Sequence, residues 1–285
     1  MRQVEVSSCA ALADFVECYW YVDAGSAESS PVPDAILPNG TSNLIFNLSG
    51  FEHREYSDDD YSVSMPLRTR WFSGIRDAAI VVGPTVCTRV VGVRFKPAGV
   101  GAFLGVPATE VCRFTVAADE LWGRECELLH ERLFQQPDMA GRFRLLQEWL
   151  LERFVPQPRE AGLVRCVEHM RQAHGNVAMD DLAGGANLSV RQFRRRFEAV
   201  VGLTPKRLAR ILRFQRLIER LGIGGTADWT GLAFDCGYYD QSHLIADFRE
   251  FAGVTPRGYL SRSPVVPGFL PVDPARMPLR SYVRR

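Results

Sequence analysis

The apolar residues between Asn43 and Gly101 follow the period-two pattern of strands. In the segment RVVGVRFKP, Val91, Val93 and Phe95 alternate with small or charged residues, as in a strand with one buried face. The segments NLIFNLSG and AAIVVG have the same character, and they are bounded by residues that favour turns. Several short strands with such boundaries favour an antiparallel β-barrel or sandwich.

The period changes to that of helices after Asp119. Two groups of apolar residues recur at helical spacing: Leu121, Leu128, Leu129 and Leu133, then Phe143, Leu146, Leu150 and Phe154. They predict two helices after the strands, and the segment VPQPRE at 155–160 is interpreted as a linker. We therefore predict an N-terminal barrel-like domain at 1–157.

The turn LPNG at 37–40 precedes one of the predicted strands. Asn39 and Gly40 supply the permissive backbone that a turn needs. The alternative interpretation is that this turn lines the mouth of the barrel, where ligands often bind.

The segment from Val177 to Gly202 has the features of a helix-turn-helix. A short apolar helix ends or relaxes at Gly184 and Gly185, and Ser189 can cap the helix that follows. One face of that second helix is apolar, with Phe193, Phe197 and Val200.

A long third helix is predicted to follow, with Thr204 as its cap and Pro205 in its first turn. It extends to Leu221, and the same scheme then repeats. The repeat shows as pairs separated by 51 residues: Phe197 and Phe248, Gly202 and Gly253, Thr204 and Thr255, Pro205 and Pro256. We predict an all-α domain of two helix-turn-helix units at 158–262, giving an α+β chain, and a Pro-rich extended tail at 263–285.

Charge is divided unequally between the two halves. The whole chain has a net charge of +1, but residues 1–158 contain 14 Lys and Arg against 21 Asp and Glu, whereas residues 159–285 contain 20 against 12. The halves therefore carry about −7 and +8. This asymmetry suggests that the second half binds a polyanion.

Arginines dominate the solvent face of the first unit's second helix. We expect Arg191, Arg194 and Arg195 to project from the helix start without acidic partners. The guanidinium group of arginine can donate two hydrogen bonds to the acceptor edge of guanine, and it also pairs with phosphate. DNA binding is therefore favoured over a helical bundle that merely grew by duplication. A middle helix of about 17 residues, roughly 25 Å long, would present two such units to adjacent major grooves.

The remaining chemistry is sparse. Seven cysteines are scattered without a CxxC pair, which argues against a structural zinc site or a disulfide framework. We predict no catalytic residues, no metal and no cofactor, and an alkyl-accepting repair enzyme is disfavoured because grouped cysteines are absent. The acidic run at 58–60 is interpreted as a solvated loop. No leader and no long apolar run is evident, so a cytoplasmic protein is expected.

Four segments carry a resemblance to a known family: LSVRQFRRRF, GLTPKRLARILRFQ, LAFDCGYYDQSHL and DFREFAGVTPRGYL. They resemble the DNA-binding domain of AraC/XylS-family transcription regulators, from about Val164 to Leu260. LPNGTSNLIFN and VGVRFKPAGVGAFLGVPA resemble an N-terminal barrel domain of some members, which mostly have no assigned effector.

The resemblance implies which residues contact DNA. The family's base-contacting positions correspond in the first unit to Val190, Arg191, Gln192, Arg194 and Arg195, and in the second to Gln241, Ser242, His243 and Ile245. The position matching Arg195 is Ala246, which departs from the family pattern. Candidate phosphate contacts are Ser189, Lys206, Arg207, Arg249 and Arg257.

The expected partner is double-stranded DNA, without a membrane. The resemblance is compatible with contact to RNA polymerase, with a homodimer formed by the N-terminal domain, and with an unidentified small-molecule effector. The alternative is an adaptor that holds DNA while its N-terminal domain contacts another protein and binds no ligand.

Overall fold

The structure is a computed structural model that describes residues 2–25, 33–56, 63–67, 69–83, 88–155, 157–223, 228–262 and 268–272. Its N-terminal part is built from ten short strands: β1 (Arg2–Ser7), β2 (Val16–Asp23), β3 (Asp34–Ile36), β4 (Ser42–Asn47), β5 (His53–Tyr56), β6 (Ser64–Leu67), β7 (Arg70–Ser73), β8 (Ile80–Val82), β9 (Arg89–Phe95) and β10 (Thr115–Ala117). The three predicted strand segments correspond to β4, β8 and β9.

The strands form two antiparallel sheets. The larger sheet has the order β1-β2-β9-β4-β7-β10, and its central register pairs Tyr19 with Val93 and Leu44 with the same Val93. The smaller sheet contains β3-β8-β5-β6. The fold is therefore an open two-sheet sandwich rather than a closed barrel, which confirms one of the two expected architectures.

Three helices follow β10: α1 (Ala118–Trp122), α2 (Arg124–Gln135) and α3 (Met139–Arg153). The sequence predicted the two longer ones. Leu129 and Leu146 from these helices are buried with the large aromatic side chains of the six-stranded sheet, namely Phe46, Phe72 and Phe95. Large aromatic side chains thus fill the space between the six-stranded sheet and these helices, and Trp122 and Trp149 pack edge to face beside them at 5.7 Å.

The helical domain begins after a short 3₁₀ turn at Pro158–Glu160. It consists of α4 (Ala161–Gln172), α5 (Met179–Gly185), α6 (Val190–Val201), α7 (Pro205–Ile223), α8 (Trp229–Asp235), α9 (Gln241–Ala252) and α10 (Pro256–Ser261). Helices α5 and α6 form the first helix-turn-helix, α8 and α9 form the second, and α7 joins them. This confirms the predicted all-α domain with a linker helix.

The turn of the first unit lies further along the chain than its glycines suggested. Gly184 and Gly185 are part of α5, and the left-handed residue is Asn187, with φ of 54°. Asparagine tolerates this conformation because its short polar side chain can bond locally. Helix α5 thus ends at Gly185, as expected, and the turn follows at Asn187.

Helix α7 packs against the sandwich and shares a hydrophobic core with it. Ala35, Leu37 and Val81 of the smaller sheet belong to the same buried cluster as Leu208 and Leu212. The LPNG turn is part of this contact, since a Cβ at position 40 would lie 3.4 Å from Leu208 and 3.6 Å from Leu212. The turn thus docks on the linker helix, and the interpretation that it lines a barrel mouth is wrong.

The chain returns to the sandwich after α10. Strand β11 (Phe269–Pro271) pairs antiparallel with β3, making the smaller sheet five-stranded. Leu270 is fully buried there, and Leu37 donates its backbone N–H to the Gly268 carbonyl at 2.9 Å. This part of the predicted tail folds back, whereas 273–285 and the acidic run at 58–60 lie outside the described residues.

We expect Gly202→Ala to lower the free energy of unfolding by about 1–3 kcal/mol or more, because the backbone there is left-handed, with φ of +87°. A Cβ at this position would also lie 2.6 Å from Cys112 Cβ. The matched control is Gly184→Ala, where a Cβ meets nothing within 4 Å. That change should leave stability unchanged or raise it by up to about 1 kcal/mol. Urea denaturation of both variants measures the difference, and equal effects would contradict it.

Candidate nucleic-acid interface

The second helix of each helix-turn-helix, α6 or α9, is called here its recognition helix. In α6, Ser189 forms a capping box with Gln192, which accounts for the sharp helix start. Phe193 and Phe197 are buried under the helix, at 1% and 0% exposure. This packing leaves Arg191 and the residues that share its face directed at solvent.

The candidate base-contacting residues of α6 are all exposed: Val190, Arg191, Gln192, Arg194 and Arg195. Among described residues, Arg191 and Arg195 have no hydrogen bond or ion pair, so both guanidinium groups are available. The Gln192 amide oxygen accepts from the Ser189 backbone at 3.2 Å and is therefore engaged in the cap.

One expectation about this face is wrong. Arg194 does have an acidic partner, because its Nε lies 3.0 Å from Glu198 Oε1 one turn later. Both groups are at the surface, with 69% of the Arg194 side chain exposed, so the pair is weak and screened. Arg194 remains accessible, but Arg191 and Arg195 carry the unneutralised charge of this helix.

The face of α9 is less basic and partly buried. Gln241, Ser242 and Ala246 are exposed, whereas His243 and Ile245 are only partly so. The His243 ring packs edge to face on Tyr238 at 5.3 Å, and Ile245 packs on the core. Near the start and middle of α9 the accessible residues are thus Gln241, Ser242 and Ala246, none of which is basic.

The candidate phosphate contacts divide into two groups. Lys206, Arg249 and Arg257 are exposed at helix starts and flanks. The Ser189 hydroxyl is within 2.9 Å of Gln192 Oε1 in the cap. Arg207 is directed inward with only 15% of its side chain exposed, so in this conformation it is not available to a phosphate.

The arginines of α7 connect elements of the protein to one another. Arg207 Nε lies 3.2 Å from Asp77 Oδ2 of the sandwich and its guanidinium also pairs with Glu250. Arg210 lies 2.6 Å from Asp247 Oδ1 and also pairs with Glu250. Part of the positive charge of residues 159–285 is therefore neutralised by ion pairs within the protein.

These contacts shift the pKa values of the groups involved. Burial alone would lower the pKa of Arg210, but its hydrogen bonds to Asp247 and Glu250 outweigh burial and raise it. Burial would raise the pKa of Glu250, but the hydrogen bonds from Arg210 and Arg207 lower it. Both groups are therefore charged at neutral pH, as an ion pair requires.

A cleft of about 720 Å³ lies between the two domains, and no sequence motif indicated it. Its lining includes apolar side chains from the sandwich, the linker, α4 and the end of α6, among them Phe15, Leu104, Phe154, Val164 and Val200. Glu160 in the lining pairs with Arg196 of α6 at 2.9 Å. The cleft thus connects the linker to a recognition helix. The residues that line it come from segments far apart in sequence, so spacing could not reveal them.

Burial makes several of the cysteines less reactive. Burial raises the pKa of Cys18 and Cys126 to about 12 and that of Cys236 to about 11. A thiol is nucleophilic only as the thiolate, so these side chains are poor nucleophiles at neutral pH. Within the described ranges there is also no group of three or more His, Cys, Asp or Glu that could hold a metal ion. Nor does any helix among those residues have the length and apolar character needed to cross a membrane.

Comparison with protein families gives two matches. Residues 182–262 match the family described as a helix-turn-helix domain. The C-terminal domain is an AraC-type helix-turn-helix domain. This confirms the resemblance of the C-terminal domain, and the chain is a DNA-binding transcription regulator. Residues 4–116 match a domain of unknown function, DUF6597. No curated protein matches the chain.

The AraC-type chain is also similar to solved structures of ToxT from Vibrio cholerae. The apo structure of a ToxT point variant from strain SCE256 is 12% identical with a TM-score of 0.46, over 90% of this chain and 99% of that one. ToxT of strain O395 bound to (E)-4-(8-methylnaphthalen-1-yl)but-3-enoic acid is 12% identical with a TM-score of 0.46, over 82% and 97%. Likenesses at this level transfer neither structural detail nor a ligand to this chain.

We expect the ion pairs of Glu250 to make stability depend on pH. Because its pKa is lowered from the ordinary 4.5, the carboxylate stabilises the fold fully above that value, and this contribution is lost as pH falls through the folded-state pKa. Glu250→Gln should therefore cost about 1–2 kcal/mol at neutral pH. The cost should shrink as the pH falls below 4.5. Urea denaturation from neutral to acidic pH measures it.

Glu219→Gln is the control for this measurement, since Glu219 is exposed on α7 and forms no ion pair with a described residue. Its difference from the wild type should be small at every pH. A cost for Glu250→Gln that does not change with pH would contradict the assignment.

Proposed function

We propose that this regulator binds two successive major grooves of DNA with α6 and α9. The observation that carries the proposal is that each recognition helix presents an accessible face while its opposite face is buried against the domain core. Helix α7 spans Pro205–Ile223, or 19 residues, and separates the two units. At about 1.5 Å per residue it is roughly 28 Å long, comparable to the ~34 Å between groove faces of one helical turn.

The two units contribute unequally in this proposal. Arg191 and Arg195 of α6 have the free guanidinium groups that recognise guanine edges, and Arg194 is accessible beside them. Helix α9 offers Gln241 and Ser242 near its start, with Ala246 further along. Since α9 lacks a matching arginine, we assign most base discrimination to α6, and we assign backbone contact and indirect readout to α9.

Phosphate contacts flank these faces. Lys206 lies at the start of α7, Arg249 lies on α9, and Arg257 lies at the start of α10. Charges at these positions would orient the protein on the duplex without sequence preference. Arg207 is left out of this set because it is already paired with Asp77 and Glu250.

We propose the cleft between the domains, rather than the space between the six-stranded sheet and its helices, as the site of a small-molecule effector. That space is filled by aromatic side chains, whereas a 720 Å³ cleft has the size and the mainly apolar lining of small-ligand sites. A ligand there would contact both the linker and Val200 near the end of α6. It could therefore alter how the first recognition helix is held.

The proposal for α6 predicts different effects for two basic residues. Arg195→Ala should weaken binding to the correct operator by roughly 1–3 kcal/mol and relax discrimination at one base pair. Lys206→Ala should weaken binding to all sequences alike. It should also make the slope of log binding constant against log salt concentration shallower by about one. Titrations against operator variants at several salt concentrations measure both.

If Arg195→Ala leaves specificity unchanged, the role of α6 is wrong. If the wild type binds every sequence equally, with only a salt dependence, the adaptor alternative is correct. Footprinting of genomic fragments selected by the protein tests bipartite contact, since protection should cover two adjacent turns.

The proposed effector site is tested by filling it. Val164→Trp places a large side chain in the cleft lining, and it should abolish the saturable fluorescence rise of 8-anilinonaphthalene-1-sulfonate, a probe of apolar clefts. Leu128→Trp is the control, because Leu128 is 47% exposed on α2 and does not line the cleft. Equal probe binding by both variants would show that the cleft is not the site.

A further inference from the structure

Asp77 lies where the two domains meet. It is in the connection between β7 and β8, and only 5% of the residue is exposed. Its Oδ2 receives Arg113 Nε from the sandwich at 3.0 Å and Arg207 Nε from α7 at 3.2 Å. Its backbone oxygen accepts a further bond from Arg207 Nη2 at 2.5 Å. One side chain of the sandwich thus holds the first turn of the linker helix.

The same contact extends to the second recognition helix. The Arg207 guanidinium that binds Asp77 also pairs with Glu250 of α9 and lies over the Phe251 ring at 4.6 Å from its centroid. Next to it, Ala79 of the sandwich donates its backbone N–H to the Phe251 carbonyl at 3.1 Å. The end of α9 is therefore attached both to α7 and to the sandwich.

The docked arrangement leaves both recognition faces accessible. Arg191 and Arg195 on α6, and Ser242 and Ala246 on α9, are exposed in the presence of the sandwich. Docking on the sandwich therefore does not block these faces, and the contact at Asp77 acts as a support behind them.

We propose that Asp77 is a positioning residue that sets the spacing of α6 and α9 for DNA. It acts through Arg207, which it holds against Glu250, so that α7 and α9 keep one relative position before DNA arrives. This inference rests on the proposed bipartite binding. Fixing the two helices in advance reduces the conformational entropy lost on binding, and it penalises sites whose half-sites are separated differently.

Loss of the Asp77 charge should have a strong effect on the arginines that it contacts. Removing one partner of a buried ion pair leaves the other charge without compensation in a poorly solvated place. Without the Asp77 charge, Arg113 and Arg207 lose a shared carboxylate, and Arg207 keeps the Asp77 backbone oxygen, Glu250 and the Phe251 ring. The start of α7 is then held to the sandwich less firmly, by its buried apolar contacts and these remaining polar ones, while the cores of both helix-turn-helix units remain intact.

The test compares wild type and Asp77→Asn, which has nearly the same shape, on three DNAs. These are the selected bipartite operator, the same operator with one base pair inserted between half-sites, and a duplex containing only the half-site of α6. The variant should lose on the order of 10-fold in affinity for the bipartite operator, a usual size for coupling between sites. It should discriminate less against the inserted base pair and bind the half-site like the wild type.

Two further variants complete the experiment. Glu250→Gln removes the partner of Arg207 on the α9 side and should reproduce the loss of spacing discrimination. Asp235→Asn is the control, because Asp235 also pairs with an arginine of α7, Arg220, at 3.1 Å, but its side chain is 60% exposed. It should bind all three DNAs like the wild type.

Each outcome has a distinct meaning. Unchanged affinity and spacing discrimination in both Asp77→Asn and Glu250→Gln would overturn the positioning role and leave bipartite binding intact. A wild type that binds the bipartite operator no better than the half-site would overturn the proposed function and, with it, this inference. Loss of half-site binding in Asp77→Asn would show a general folding role for Asp77 instead.

Discussion

The packing of α7 against the five-stranded sheet is the contact on which the rest of the structure depends. Leu208 and Leu212 of the helix belong to one buried cluster with Ala35 and Leu37 of the sandwich. The two predicted domains therefore do not have fully separate cores. Because protein interiors are close-packed, a shift of α7 would disturb both domains together. Strand β11 adds a second connection, since it returns the chain to the sheet after α10.

The arginines show how one residue type serves two purposes according to what lies opposite it. On α7, Arg207 and Arg210 face acidic side chains and become internal connections. On α6, Arg191 and Arg195 face solvent and keep their hydrogen-bonding capacity for a ligand. A net charge counted along the chain cannot separate these groups. In the proposed function, arginines paired inside the protein are not available to DNA, so the basic surface offered to DNA is smaller than the charge of this half suggests.

The cleft and the Asp77 contact both lie between the two domains, but they involve different helices of the C-terminal domain. The cleft is bordered by the linker and the end of α6, whereas Asp77 holds the start of α7 and, through Arg207, the end of α9. An effector and the Asp77 contact would thus act on different ends of the helix-turn-helix pair. A ligand changes the protein only to the extent that it binds two arrangements differently. Its contacts with Val164 and Val200, on elements of the helical domain, would supply that difference.

The sequence alone determined the elements whose pattern is local. The repeat at an offset of 51, the caps Ser189 and Thr204, and the apolar positions Phe197 and Phe248 follow from short-range periodicity and helix-end chemistry. The structure contains these caps, and it buries both phenylalanines. Strands β4, β8 and β9 were visible for the same reason. Most of the remaining strands have only three or four residues, too few for a period to show. Strands β1 and β2 are longer and were missed.

Only the tertiary structure decided which charged side chains pair with each other and what the LPNG turn packs against. The Arg194 and Glu198 pair is local and could have been seen in the sequence. By contrast, the partners of Arg207 are Asp77, 130 residues earlier, and Glu250, 43 residues later. The LPNG turn docks on α7 for a similar reason, since the surface that covers it lies in another domain. Local pattern determines which elements form, whereas contacts between distant segments determine which side chains remain free for DNA.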